Sequence, residues 1–238
     1  MSGHSKWSTI KHKKGALDAK RGKLFTKLSK EIIVAAREGS DPEMNFRLRL
    51  AIQNAKDSNM PSDNIERSIK KGSGEDTSGA IYEEITYEGY GPKGVAIIIE
   101  CLTDNKNRTV SEVRNVLSKN GGSLGTKGSV AHLFRRVGVM KIERMKEDDL
   151  FDHMDSVELL DIEQVENGCI IITNSSELFN TKKYFETHGF SICDEEIIMD
   201  PQTQVDVSNE DKEKVLSLSS KIEELDDVQN VYMNVSII

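Results

Sequence analysis

The sequence predicts an α+β protein of three domains: an N-terminal three-helix bundle with a basic arm, a discontinuous α/β sandwich domain, and an inserted ferredoxin-like α+β domain. Three observations predict it. The 238 residues exceed what one compact core usually organises. The apolar period changes from helical to alternating across the small polar stretch GSGEDTSG at 72–79. Between residues 135 and 201 the elements read β-α-β-β-α-β, the order of a split β-α-β plan. The expected boundaries are 1–75 for the arm and bundle, 80–134 plus 202–238 for the discontinuous domain, and 135–201 for the insert.

The first 17 residues, MSGHSKWSTIKHKKGAL, hold no sustained apolar period and read as an arm. From Asp18 to Arg37, Leu24, Leu28 and Ile32 recur at i, i+4, i+8, with Phe25 and Ala36 widening the stripe, and Gly39 stops the helix. A second helix over 43–59 gathers Met44, Leu48 and Ile52. A third starts near Ser62, with Asp63 and Glu66 at capping-box spacing, and ends at Lys70, Lys71 and Gly72.

Beyond the polar stretch, EEITYEG, the turn YGPKG and VAIIIECL read as a hairpin of one half-buried and one fully buried strand. A helix is expected from Thr109, with Glu112 completing a capping box and Asn120 and Gly121 ending it; SVAHLF is expected as a strand. The insert then reads as strand VGVMKIE, a helix over about 147–158, a hairpin turning at Asn167-Gly168, a helix over 176–188 and strand FSICDEEIIM. The tail from Thr203 reads as strand, helix over about 208–225 and strand, returning to complete the second domain. Pro42, Pro61, Pro92 and Pro201 all fall at element boundaries in this scheme.

The net charge of -8 conceals two opposite blocks. Residues 1–72 hold 16 Lys and Arg against 8 Asp and Glu, whereas the other 166 residues hold 16 against 32. An asymmetry of +8 against -16 is the pattern of a polyanion footprint confined to one domain. The expected contacts are Lys6, Trp7, Lys11, His12, Lys13, Lys14, Lys20, Arg21, Lys23, Arg47, Arg49, Lys70 and Lys71. Clustered lysines repel one another unless phosphate is near, and phosphate binding releases counterions, so affinity should depend strongly on salt. Trp7 either stacks on a base or anchors the arm on the bundle. Arg47 and Arg49, spaced i, i+2, lie on different helix faces, so one of them faces ligand at most. A second candidate anion site comprises Lys106 and Arg108, beside a helix N-terminus, and Lys127 in the loop GGSLGTKGS; a capped helix and a tight turn are the alternatives.

No G-x-S-x-G, Walker A, H-E-x-x-H or dinucleotide fingerprint occurs, and the five histidines are scattered, so a non-enzyme without cofactor, metal or small-molecule substrate is expected. Cys101, Cys169 and Cys193 have no zinc-ligand spacing and read as reduced thiols. The longest purely apolar run, VAIII, is too short for a bilayer and no apolar leader follows the N-terminus; a cytoplasmic location away from membranes is expected.

GHSKW, KRGKLFTKL, RLRLAIQNAK, NMPSDNIERSIKKG, YEGYGPKGVAIIIECLTDNKNRTVSEVR, SKNGGSLGTKGSVAHLF and ELDDVQNVYMN together resemble the YebC family, probable transcriptional regulators that include the mitochondrial translational activator of cytochrome c oxidase. The resemblance runs from Gly3 to Phe134 and resumes in the tail. It implies three domains, a helical bundle first and a discontinuous second domain. It also implies a DNA-binding regulator of transcription or, in another account of the family, a ribosome-associated translation factor that binds ribosomal RNA or tRNA and eases difficult elongation steps. Two departures stand out: the family commonly has Gly at the position of Lys93, and a Gly-Ala-Glu-Asp stretch where this chain reads SVELLDIE near 156–163.

Overall fold

The structure, a computed structural model, describes residues 21–76, 80–146, 149, 153 and 156–236. These hold six α-helices and two four-stranded antiparallel sheets, a mixed α+β architecture. They divide into two compact units, one of residues His132–Val205 with Ser236 and the other of residues 21–131 with Asp206–Val235.

The larger unit begins with α1 (Arg21–Ala36), α2 (Phe46–Asp57) and α3 (Ser62–Ser73). Their apolar stripes close one core of Leu28, Ile32 and Ala35 from α1, Leu48, Ala51 and Ala55 from α2, then Met60 and Ile65. Buried Asn45 joins the first two helices. Its Oδ1 accepts from the Leu48 amide at 3.0 Å, capping α2, while its Nδ2 donates to the Ala35 and Gly39 carbonyls at 2.8 and 2.7 Å. Helix α2 therefore starts at Phe46 rather than near Glu43. At Gly72 the third helix approaches the first so closely that a Cβ would stand 2.4 Å from the Ile33 carbonyl oxygen and 2.6 Å from the Ala36 Cβ. The capping box expected at Asp63 is absent: Pro61 takes the N-cap position without a side-chain bond, and Gly74 ends the helix in the left-handed region. The α2–α3 junction spans residues 58–61, two residues more than the sequence reading leaves between these helices.

The same unit continues through β1 (Glu83–Tyr90), β2 (Ala96–Thr103), α4 (Lys106–Lys119) and β3 (Ser123–Leu124), then closes with two later elements of the tail. The β1–β2 hairpin pairs Tyr87 with Ile99 and Ile85 with Cys101. Helix α4 begins three residues earlier than the capping box at Thr109 implies, because Asn105 Oδ1 already accepts from the Arg108 amide at 3.1 Å. SVAHLF is not a strand: residues Ala131–Leu133 form a 3₁₀ turn and the strand starts at Phe134.

The smaller unit holds β4 (Phe134–Glu143), β5 (Leu159–Val165), β6 (Gly168–Asn174), α5 (Leu178–Thr187) and β7 (Ile192–Pro201). Its sheet order is β5-β6-β4-β7 with every neighbour antiparallel. Leu178 of α5 lies against Gly138 of β4, where a Cβ would come within 2.8 Å of it. Seven of the twelve residues of the expected helix over about 147–158 lie outside the described residues. The tail then supplies α6 (Asn209–Glu223) and β8 (Val228–Met233) to the larger unit, giving the sheet order β3-β1-β2-β8. Helices α4 and α6 cover that sheet through Val113, Leu117, Leu218 and Ile222, packed on Ile97, Ile99, Cys101 and Val231. Burial and the neighbouring Asp227 carboxylate push the Cys101 thiol up to about 12, so it stays a neutral core group.

Candidate nucleic-acid interface

Seven of the residues expected to touch nucleic acid, Lys6, Trp7, Lys11, His12, Lys13, Lys14 and Lys20, lie outside the described residues, as does the side chain of Arg21. The described part of the cationic block begins on α1. There Lys23, Lys27 and Lys30 stand at spacings of four and three, one stripe along the helix. All three amines turn onto the α6–β8 turn. Lys23 Nζ lies 2.9 Å from Asp226 Oδ1 and 3.1 Å from the Glu224 carbonyl; Lys27 Nζ donates to the Glu223 carbonyl at 2.6 Å. Those carbonyls end α6, where the helix dipole favours a cation. Burial lowers the Lys27 pKa, against the pull of Glu223.

Lys30 is buried and donates to Asp227 Oδ1 at 2.8 Å, as well as to the Leu102 and Asp226 carbonyls at 3.3 and 2.9 Å. The other Asp227 oxygen accepts from Arg108 at 2.6 Å, Thr109 at 2.8 Å and Thr103 at 3.0 Å. One carboxylate, 2% exposed, thus ties α1, the end of β2 and the first turn of α4 together. Burial alone would raise its pKa; the bonds from Lys30, Arg108 and Thr109 outweigh that and hold it at about 2.

The second candidate anion site is consequently not assembled. Lys106 pairs with Glu83 at 2.5 Å, and Arg108 is taken by Asp104 at 2.8 Å and by Asp227. Lys127 sits beyond the other end of β1, in a loop organised by Glu88, five residues and roughly 17 Å along the strand from Glu83. There the buried Glu88 carboxylate accepts amides of Gly128, Val130 and Ala131 at 2.6, 2.7 and 2.8 Å. The anion held by this glycine-rich loop is the protein's own, and the loop is a tight turn.

Arg47 forms a two-pronged pair with Glu84 and lies 3.7 Å from Glu38; Arg49 reaches the Glu43 carbonyl at 3.5 Å. Lys70 and Lys71 are exposed at the end of α3. They adjoin Gly72, which packs beside Ile33, roughly 15 Å along α1 from Lys23. The described cations therefore form separate groups at the two ends of α1, and the group nearest the arm is largely engaged by the protein itself. Lys27, Lys30, Asp227 and Glu88 are not among the site residues that the sequence predicts. The lysine stripe is visible as a three-four spacing, but nothing local marks Asp227 as the partner of a residue 197 positions away.

These features define a mixed α+β protein of two antiparallel sheets in which the cationic N-terminal helices are locked to the tail by a buried ion pair. Comparison with known proteins narrows that class to one family. Residues 5–75 match the family described as "TACO1/YebC protein N-terminal domain" and residues 82–235 match "TACO1/YebC second and third domain". A protein of Natranaerobius thermophilus is 49% identical over this whole chain and 97% of its own length, and one from Borrelia turicatae is 51% identical over the whole chain and 98% of its own; both are named "Probable transcriptional regulatory protein". The crystal structure of a conserved hypothetical protein from Aquifex aeolicus superimposes with a TM-score of 0.81 at 45% identity, covering 92% of each chain. The chain belongs to the TACO1/YebC family. Among the described residues no helix is long and apolar enough to cross a membrane.

Proposed function

We propose that this chain is a cytoplasmic, non-enzymatic regulator of gene expression of the YebC type that binds nucleic acid through its N-terminal block. The carrying observation is the charge division, +8 in residues 1–72 against -16 in the rest. The names of its relatives support a regulatory role. Lys23, Lys30 and Arg47 have carboxylate partners; the phosphate contacts of this reading are Lys6, Lys11, Lys13, Lys14, Lys20 and Arg21, with Lys70 and Lys71 at the far end of the bundle. The larger unit is read as a bundle domain and a discontinuous α/β domain, and the strand order of the smaller unit supports a ferredoxin-like insert.

One observation favours RNA on the ribosome over operator DNA. A recognition helix reads bases with its N-terminal residues. The four-residue junction would suit a helix-turn-helix, but the first turns of α3 expose Asp63 and Glu66, which repel a phosphate-walled groove. Co-sedimentation with ribosomes over a salt series, beside titration of promoter and random duplex DNA, separates the targets. Salt-sensitive ribosome binding with weak, sequence-blind DNA binding is expected. Tight binding to one promoter without ribosome association would make the protein a transcriptional regulator instead.

A further inference from the structure

Three loops of the larger unit meet around Tyr90. Its hydroxyl donates to the Ser129 carbonyl at 3.0 Å, pinning a ring that remains 36% exposed. Gly122 lies so close to the Tyr90 carbonyl that a Cβ would stand 2.5 Å from that oxygen, and a Cβ on Gly121 would be 3.7 Å from Pro92. A Cβ on Gly125 would stand 2.4 Å from the Ser129 hydroxyl. The Glu88 carboxylate fixes the same loop from beneath through its three amide bonds. Using a buried carboxylate and several obligatory glycines to hold a surface loop is how a protein pre-organises a contact rather than a core.

The side chains this arrangement presents are cationic. Lys119 precedes Asn120 and Gly121, and Lys127 precedes Gly128, so both are adjacent to the converging backbones, and both are exposed. Neither makes an ion pair among the described residues, in contrast to Lys23, Lys30, Arg47, Lys106 and Arg108. Lys93, at the tip of the third loop, is also exposed but shares its charge with Asp211 at 3.5 Å. Beyond Asn120, which accepts from Lys221 at 2.6 Å, Glu210, Glu213 and Lys214 line a hollow of mixed sign that bounds the cationic area.

We propose that these loops form a second nucleic-acid contact, which stacks an unpaired RNA base on Tyr90 and holds the neighbouring phosphates with Lys119 and Lys127. A fixed, partly exposed aromatic ring with exposed lysines on the neighbouring loops suits a splayed-out base, which RNA loops offer and duplex DNA does not. The inference rests on the nucleic-acid reading above and adds to it a contact outside the basic block.

The test titrates the full chain with a fluorescent 20-nucleotide single-stranded RNA and with its duplex, comparing wild type, Tyr90→Leu, Tyr90→Phe, the pair Lys119→Gln/Lys127→Gln, and an arm variant with Lys11, Lys13 and Lys14 changed to Ala. Thermal melting verifies that each variant is folded. Tyr90→Leu is expected to weaken single-strand binding about fivefold or more while leaving duplex binding unchanged, and Tyr90→Phe to retain wild-type affinity. The lysine pair should lower the salt slope by about 1.4, at roughly 0.7 for each phosphate no longer neutralised. If the arm variant loses binding while Tyr90→Leu and the lysine pair bind as wild type, the contact at Tyr90 is wrong and the arm reading stands. Equal wild-type affinity for duplex and single strand also overturns it; no wild-type binding to either probe overturns both.

Discussion

Asp227 concentrates the chemistry of the larger unit in one side chain, accepting from Lys30, Arg108, Thr103 and Thr109. Asp227→Asn would leave a buried ammonium and a guanidinium facing a neutral amide. Removing one partner of a buried pair typically costs roughly 3–5 kcal/mol, so a loss of about 3 kcal/mol is expected in urea unfolding. The pH dependence follows from the folded-state value of about 2 against an ordinary 3.8. A depressed carboxylate pKa contributes stability that is present above about pH 4 and is lost as pH falls towards 2, roughly 2–3 kcal/mol at ~1.4 kcal/mol per unit. Asp227→Asn should therefore flatten the acid limb of the stability profile between pH 5 and 2.5, as measured by urea midpoints. An unchanged limb would mean that another carboxylate carries it. Lys93 has a residue-scale explanation of its own. Its φ of 62° lies in the left-handed region, where a side chain costs about 1 kcal/mol and which glycine adopts freely, in keeping with the glycine that the family resemblance implies there. At this scale the sequence is least legible: charge and spacing locate the cations, but which of them are already paired depends on partners nearly 200 positions away in the chain.

Helices and strands are legible where their period is long. The α1 stripe of Leu28 and Ile32, the all-apolar β2 and the Asn167-Gly168 hairpin stand where pattern puts them, with Gly168 at a φ of 140° against the Ile142 carbonyl. Boundaries move where two caps compete. Asn105 displaces Thr109 at the start of α4, and the Thr109 hydroxyl is instead drawn into the Asp227 network. Asn45 displaces Glu43 because it can cap α2 and close α1 at once. SVAHLF forgoes its strand because the amides of Val130 and Ala131 are committed to Glu88. Packing between elements also makes a prediction that propensity alone would get wrong. Alanine is the better helix former by about 1 kcal/mol, yet Gly72→Ala would drive a Cβ to 2.4 Å from the Ile33 carbonyl oxygen. Overpacking of that kind costs roughly 1–3 kcal/mol; a lower urea midpoint is expected, and a raised one would show that α3 can slide away from α1.

Across the whole molecule, the chain separates its charge: a cationic block precedes and includes the bundle, and an acidic remainder follows. The structure refines that division by neutralising part of the block from within. Lys23 and Lys30 hold α1 on the tail through Asp226 and Asp227, so the bundle is fixed to the first sheet. Under the proposed function, phosphate contact resides in the cationic segment upstream of α1. The most direct measurement is the slope of log affinity against log salt for ribosomal RNA, taken on wild type and on the chain with Lys11, Lys13 and Lys14 changed to Ala. With three fewer phosphates neutralised, the slope should fall by about 2 with a large drop in affinity at low salt; an unchanged slope and affinity would contradict the account and move the interface elsewhere on the protein.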